Sequence, residues 1–484
     1  VTTQDSHPRA RAGHLSYLSE TDKAAIYEAA LEIMSTIGMR VHHAEALELL
    51  RAAGCTVTDP DLVCTPRELV EQARATAPAM IEVYDRTGEP AMSLGGYNAY
   101  FGNGSAVTSV YDIDTGEHRP TVLPDGVEAA RLCDALPMID FVMAYAHPGG
   151  VDPHIALLES FRAMVANTTK PLVVVAENAA DLDVMWRIAG ELRGGPAELR
   201  AKPYFTLYVE PTSPLRHPVE SIAKLMLCAD WGIPAVYSTS PLAGGTAPIT
   251  VAGHIAQGTA ESLFGLVIHQ LRRPGAPFIF GIGPAVLDMA TSQSSYNAPE
   301  YLMGYLCAIE MARWLDLPNW GYAGTTDAQA IDAQAGMEAA ELTFLSLAAG
   351  SNLNHDIGYI DYGMTASLEL IVIMDEYLSL NRRIFAGVEV SPETLAVDTI
   401  RQVGPGGDFL SSKHTARHVR KGQWRPTIIN RQGYVRWQEE GGLDLREKAR
   451  RKALKILETH QPEPLAADVA ARIDALVAGF TPSA

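Results

Sequence analysis

The sequence predicts an α/β fold: a (β/α)8 TIM barrel with an N-terminal helical cap and a C-terminal helical extension. Three observations predict it. Eight short apolar runs begin at Ala99, Phe141, Pro171, Pro203, Ile233, Ala276, Asn319 and Ser351. Each is followed by a stretch with helical periodicity, the tandem strand-then-helix pattern of such a barrel. The chain has 484 residues, well beyond the roughly 250 that a bare barrel needs. The excess divides it into a cap over 1–98, the barrel over 99–387 and an extension over 388–484.

Residues 1–18 are polar, carry Arg9 and Arg11, and read as a flexible arm. Ser19 to Asp22 offer capping groups for a helix that closes on Gly38; AEALELLRAAG stops on Gly54, and PRELVEQARATAP supplies a third helix. IEVYDRTGEPAMSL alternates around Thr87-Gly88 and reads as a hairpin. Inside the barrel, Asp181 precedes one helix, His217-Pro218 opens another and Pro299 a third. The helix after the fifth strand, at 250–271, is rich in small residues, which suits close packing against another helix or a second subunit and makes a homo-oligomer the expectation. The extension holds a helix from Ser391, a Gly-rich loop, an aromatic and basic segment, and two terminal helices.

Composition narrows the class. An apolar content of 47% suits a large core, and a formal charge of −19 argues against nucleic acid or an anionic membrane surface as partner. Five scattered cysteines without a CxxC pair read as ordinary thiols of a reducing compartment. With no leader pattern and no run near 18 apolar residues, the expectation is a cytoplasmic protein. The loop Gly404–Leu410 lacks the Lys-Ser/Thr ending of a phosphate cradle, and no GxSxG elbow occurs.

Barrel chemistry sits at the C-terminal ends of the strands. There the sequence places Phe101, Gly102, Asn103 and Gly104 on strand one, Tyr145 and His147 on strand two, and Glu177 and Asn178 on strand three. Strand four gives Tyr208 and Glu210. Strand five gives Tyr237, Ser238, Ser240 and the following Gly245, and strand six gives Gly281 and Gly283. Strand seven adds Tyr322, Gly324 and Asp327, and strand eight Asn354, His355, Asp356 and Tyr359. Ring faces of Phe101, Tyr145, Tyr208, Tyr322 and Tyr359 suit an ammonium cation; the alternative is that these rings cap the core. His355 suits a general acid or a donor to a substrate carboxylate, with Glu210 as a second acid–base group. Asn103 and His147 complete the candidate substrate contacts. Glycines at strand ends (Gly102, Gly104, Gly245, Gly283, Gly324) leave room for a large group to approach, or serve turn geometry. His147, Glu177 and His355 lie on three strands with no ligand spacing, so no metal is assigned to the chain.

The sequence resembles the trimethylamine methyltransferase (MttB-like) family of corrinoid-dependent methyltransferases. The motifs run collinearly: FGNGS (101–105), YDIDTGEHRP (111–120), AARLCDALPMIDFV (129–142), NTTKPLVV (167–174), GGTAPITVAGHIAQGTAE (244–261), RPGAPFIFG (273–281), TDAQAIDAQAGMEAA (326–340), VGPGGDFLSSKHT (403–415) and INRQGYVRW (429–437). The resemblance implies a barrel enzyme that moves a methyl group from a methylated amine to cob(I)alamin (cobalamin) carried on a separate corrinoid protein. Archaeal trimethylamine enzymes of the family use pyrrolysine. This chain has ordinary residues around Tyr322-Ala323-Gly324, where the counterpart is expected. That departure favours the branch acting on quaternary amines such as glycine betaine. The chemistry agrees, since a quaternary nitrogen already carries its charge and leaves as a neutral amine, so positioning and desolvation suffice. Two other classes stand beside it: a lyase or hydrolase using Glu177, Glu210 and His355, and a non-catalytic binding protein for methylated amines.

Overall fold

Short apolar runs form parallel strands when each can pair on both sides and bury both faces. The computed structural model describes residues 13–104 and 106–480. Eight such strands are present: β1 (Tyr100–Asn103), β2 (Val142–Met143), β3 (Leu172–Val174), β4 (Phe205–Val209), β5 (Ala235–Thr239), β6 (Phe278–Ile282), β7 (Trp320–Tyr322) and β8 (Leu353–Ile357). Strands β2 to β6 make one parallel sheet, and β7, β8 and β1 make another. Isolated parallel bridges, Gly102 with Phe141 and Phe280 with Asn319, join the two sheets at both edges.

Both seams are finished by side chains where the backbone ladder is thin. At the first, Asn103 Nδ2 donates to the Met143 carbonyl (2.7 Å) and Met143 N–H donates to Asn103 Oδ1 (3.1 Å). Near the second, the Tyr305 hydroxyl accepts from Tyr322 N–H (3.0 Å) and donates to the Tyr322 carbonyl (3.1 Å). Each satisfies a buried peptide group that would otherwise be orphaned.

A helix follows each strand: α1 (Leu123–Ala135), α2 (Ala156–Asn167), α3 (Ala179–Arg193), α4 (Val219–Trp231), α5 (Val251–Arg272), α6 (Pro299–Trp314), α7 (Ala333–Ala349) and α8 (Leu368–Phe385). Helix α3 begins two residues before Asp181, because Asn178 caps it by accepting from Ala180 and Asp181 N–H. Under the N-terminal ends of the strands lies the expected hairpin, Ile81–Tyr84 with Pro90–Leu94. Its Ile81, Val83, Met92 and Leu94 share one buried cluster with Tyr100, Phe141, Val173, Val236 and Ile279.

Several expectations are corrected. Residues 1–12 of the supposed flexible arm lie outside the described residues. Residues 13–18 are anchored: Gly13 and Leu15 N–H donate to the Leu347 and Ala348 carbonyls, and Tyr17 and Leu18 N–H to Glu310. The cap is not purely helical. Met39–Val41, Thr56–Thr58 and Leu62–Cys64 form a small sheet that recruits Arg216–His217 from the β4–α4 connection. Of the two partners its small residues suit, helix α5 meets helices of its own chain: seventeen of its residues are buried, and it packs on the cap helices, α4 and α6. No helix among the described residues is long and apolar enough to cross a membrane.

Candidate active site at the strand C-termini

Alternation along β4 and β7 turns Tyr208 and Tyr322 toward the face that also receives His355 from β8. His355 is buried, its ring centroid 4.2 Å from Trp320, 4.6 Å from Tyr322 and 6.3 Å from Tyr208. Tyr296, on the loop after β6, stands beyond Tyr322 at 6.5 Å. That loop is fixed by Asp327, whose carboxylate accepts from Tyr296 and Asn297 N–H and from the Ser295 hydroxyl. Two carboxylates flank this aromatic collar. Glu210 is exposed and accepts from the Ser240 hydroxyl. Asp356 is buried, with Oδ1 3.3 Å from His355 Nε2.

The proton inventory follows from the partners. His355 Nδ1 lies 2.9 Å from the Gly321 carbonyl, which can only accept, so Nδ1 carries the hydrogen. Burial holds the imidazole below its ordinary pKa, against the opposing pull of Asp356 and Glu210. The neutral ring therefore turns its Nε2 lone pair toward the Asp356 carboxylate, 3.3 Å away. Burial, with Glu210 or Asp356 nearby, also pushes the Tyr208 and Tyr322 phenols far above their usual range, so both stay neutral.

Charge around the site is one-sided. The segments after six of the strands (144–155, 175–180, 240–250, 283–298, 323–332 and 355–367) contain no Lys or Arg, yet they include Asp152, Glu177, Asp288, Asp327, Asp332, Asp356 and Asp361. After β1, Arg119 is neutralised by Asp112 and Asp125. A mouth of this kind attracts cations and repels anions.

The structure sorts the sequence candidates. Tyr208, Glu210, Tyr322 and His355 are brought together, with Ser240, Asp356 and Gly283 beside them. Six others are not. Phe101 is fully buried under Arg382 of α8, whose guanidinium carbon sits 5.6 Å from the ring centroid. Tyr145 and Tyr359 pack against each other in the core, their rings tilted with centroids 6.1 Å apart, and the Tyr359 hydroxyl donates to the Tyr145 carbonyl. Tyr145 borders a cavity of about 100 Å³ with Asp112, Asp125 and Glu128 rather than the mouth. Asn103 is consumed by the β1–β2 seam. His147 is half-buried, its backbone tied to Val107 and Thr121. Glu177 is exposed on the segment that leads into α3.

Nor do the strand-end glycines hold space open. An added Cβ would meet the Phe141 ring from Gly102, Asp356 and His355 from Gly104, the Tyr322 hydroxyl from Gly283 and Ile357 from Gly324. Neighbouring side chains of the chain already fill those places; Gly245 alone of the five is exposed. His355 as a carboxylate anchor also fails on charge, because its free nitrogen is an acceptor facing another acceptor. Sequence reasoning passed over Trp320 and Tyr296. The absence of Lys and Arg from the strand-end segments was a signal open to it. Among the described residues, one group could hold a metal, Glu393 with His414 and His418, and it lies in the C-terminal extension.

Known proteins share this arrangement of sequence and fold. The family model described as trimethylamine methyltransferase (MTTB) matches residues 2–480. A trimethylamine methyltransferase MttB of Desulfitobacterium hafniense (strain DSM 10664 / DCB-2) is 30% identical over 464 residues, covering 96% of this chain and 93% of that protein. A glycine betaine methyltransferase of Desulfitobacterium hafniense (strain Y51) is 28% identical, covering 95% and 96%. The crystal structure of the Methanosarcina barkeri monomethylamine methyltransferase superposes with a TM-score of 0.50 at 13% identity, covering 93% of this chain and 96% of that one, so it shares the α/β fold.

Proposed function

The chain belongs to the trimethylamine methyltransferase (MTTB) family and is a methyltransferase; from that premise we propose that it takes a methyl group from a quaternary amine, glycine betaine or a related betaine, and gives it to the corrinoid of a partner protein. In this reading the two parallel sheets close as a (β/α)8 barrel, with the reaction at its C-terminal mouth. The observation that carries the substrate class is the aromatic collar of Tyr208, Trp320, Tyr322 and Tyr296 between Glu210 and Asp356, in a mouth where six of the eight strand-end segments hold no Lys or Arg.

Ring faces and carboxylates bind a quaternary ammonium head without needing to donate hydrogen bonds to it. Replacing its hydration shell with fixed rings raises the reactivity of the N–CH3 bond toward displacement. The corrinoid supplies the cob(I)alamin nucleophile that receives the methyl group. The amine departs with the bonding pair and is neutral, so the chain's residues have only to hold the head still. With Glu210 exposed and Tyr296 half-buried, a methyl group held there is open to an acceptor from outside. A betaine carboxylate points away from Glu210 and Asp356, toward the outer loops.

Calorimetry with glycine betaine, tetramethylammonium, trimethylamine and the uncharged 3,3-dimethylbutanol tests this. The expectation is saturable binding of both quaternary ions within about tenfold of each other, with the isosteric alcohol weaker by about tenfold or more, the loss of one to two cation–π contacts. Equal binding of the alcohol removes the cation reading; binding of the betaine alone places the recognition in its carboxylate.

A further inference from the structure

Short helices in water need support, and one stretch of this chain draws little of it from a core. From 387 to 443 a single residue, Ile428, is buried. The stretch is nevertheless folded, into helices Pro392–Leu395, Val397–Val403, Lys413–Gly422 and Tyr434–Glu439. All are shorter than the roughly 12–15 residues at which isolated helices become even marginal. Small units of this kind are held instead by cross-links or a bound metal. No cysteine lies between 387 and 443, which rules out a disulfide within the stretch. Its fastening to the body at Glu376, which accepts from Thr427, Ile428 and Ile429 N–H, comes after the first three helices.

Three side chains meet among those first three helices. His414 and His418 stand one turn apart on Lys413–Gly422, so their rings share a face and stack, centroids 4.3 Å apart and planes at 29°. Both present Nε2 to Glu393 of the helix Pro392–Leu395: that of His414 lies 3.2 Å from the Glu393 carbonyl oxygen, that of His418 3.1 Å from Oε1. One ligand atom from each of the three side chains falls within 4.8 Å of the others. Two imidazoles at i and i+4 are the spacing with which one helix face holds zinc. A carboxylate from a second element completes three protein ligands and leaves one position for water. Arg417 Nη1 lies 3.2 Å from the same Glu393 oxygen; a carboxylate has capacity for both partners, and the ion pair fixes its direction. Imidazole nitrogen favours zinc over magnesium and calcium, which take oxygen ligands. We propose that Glu393, His414 and His418 bind one zinc ion, which clips the helix Pro392–Leu395 to Lys413–Gly422. The clip closes the chain between them, the Gly-rich loop 404–410 included. The proposal is independent of the substrate reading.

The test is titration of tag-free, full-length protein, stripped of metal with a chelator, with zinc chloride. Calorimetry should show one site per chain with a Kd of about 10 μM or below, weaker than four-ligand structural sites. His414→Gln, His418→Gln and Glu393→Gln, with circular dichroism unchanged, should each weaken it by about 100-fold or more, beyond the roughly 10–100-fold that loss of an outer-shell partner costs. Hydrogen exchange supplies the second readout. With free zinc at about ten times the Kd, amide exchange across 392–422 should slow by about tenfold in the wild type and stay unchanged in the three variants. Magnesium chloride at the same concentration should have neither effect. A wild type that binds no zinc overturns the proposal. So does zinc binding indifferent to the three substitutions, exchange across 392–422 that zinc leaves as it was, or magnesium acting as well as zinc.

Discussion

Replacing Gly283 by Ala separates two meanings of a glycine at a strand end. Its backbone is not in the left-handed region, so alanine is conformationally acceptable; the difficulty is space. The new Cβ would lie 2.4 Å from the Tyr322 hydroxyl oxygen, with Ser240 Oγ and Tyr322 Cζ next at 3.3 Å. An ordinary contact needs about 1 Å more, and Tyr322 cannot yield it easily, enclosed by Tyr301 (6.0 Å), Tyr305 (5.9 Å) and His355 (4.6 Å). Overpacking of this size costs about 1–3 kcal/mol. At roughly 2.1 cal/mol/K of unfolding entropy per residue, that lowers Tm by about 1–3 °C in a chain of this length. Because Tyr322 and His355 move with the strain, tetramethylammonium affinity should fall by about tenfold or more. Adding Tyr322→Phe removes the clashing oxygen, so Gly283→Ala/Tyr322→Phe should regain stability to within about 1 kcal/mol and recover most of the affinity. Scanning calorimetry and ligand titration on the three proteins decide it. If Gly283→Ala keeps full stability and affinity while methyl transfer stops, and the double variant is equally inactive, then Gly283 is an approach point for the partner and the packing argument is wrong.

Two further outcomes follow from the seams and the buried histidines. Asn103→Ala strips two hydrogen bonds from the β1–β2 seam and leaves Met143 N–H and C=O orphaned, a loss of about 2–5 kcal/mol in urea unfolding; a loss under about 0.5 kcal/mol would make the pair incidental. Burial depresses the His217 and His269 imidazoles to about 3. Each is neutral in the fold and takes a proton on unfolding below its ordinary pKa, so the stability they protect is complete above about pH 6.5 and falls as the pH drops toward 3. Two such groups give a slope of about 2.7 kcal/mol per pH unit well inside that window. Urea midpoints at pH 7.5, 6 and 5 check it, and His217→Gln should lower the slope by about 1.4 kcal/mol per pH unit.

What the sequence revealed depended on where strand alternation holds. Tyr208 and Tyr322 sit in regular strands and His355 still pairs in register with Tyr322 of β7, so counting by twos from the apolar run aims them correctly. Phe101 lies on a strand shifted in register, Tyr145 lies past the end of the two-residue β2, and Tyr359 sits in a two-residue strand, so parity cannot be carried to them. Asn103 looked like a ligand because a polar residue at a strand end usually means function; here it substitutes for a missing rung of the ladder. Tyr296 was hidden because a loop residue acquires its position from a distant anchor, Asp327. The three-residue strands of the cap are too brief for any period to register. Helix α5, whose small residues suit packing against another helix or a second subunit, packs on several helices of its own chain that the sequence also announced.

The break in alternation on β8 is itself informative. Pairing with β1 runs Leu353 with Tyr100 and Asn354 with Phe101, then shifts to Ile357 with Asn103. In the slack, Asp356 adopts φ +74°, a region that costs a non-glycine residue about 1–2 kcal/mol. A regular strand would turn His355 to the mouth and Asp356 away; the irregular one brings both there, and Gly104 lacks a Cβ because Asp356 Oδ1 would lie 2.6 Å from it. Strain kept at a charged residue invites a functional reason. Substitution can show whether there is one. Asp356→Asn tolerates the same backbone and removes only the charge. A cation about 5 Å away, at an effective dielectric near 20, loses about 3 kcal/mol of attraction, or more than 100-fold in affinity. Asp356→Gly should lose as much affinity while the protein becomes no less stable, since the strain is relieved. Stability and binding moving in opposite directions is the signature of a residue kept for the ligand. If both variants bind tetramethylammonium as well as the wild type, Asp356 serves the fold alone and the cation must be held elsewhere.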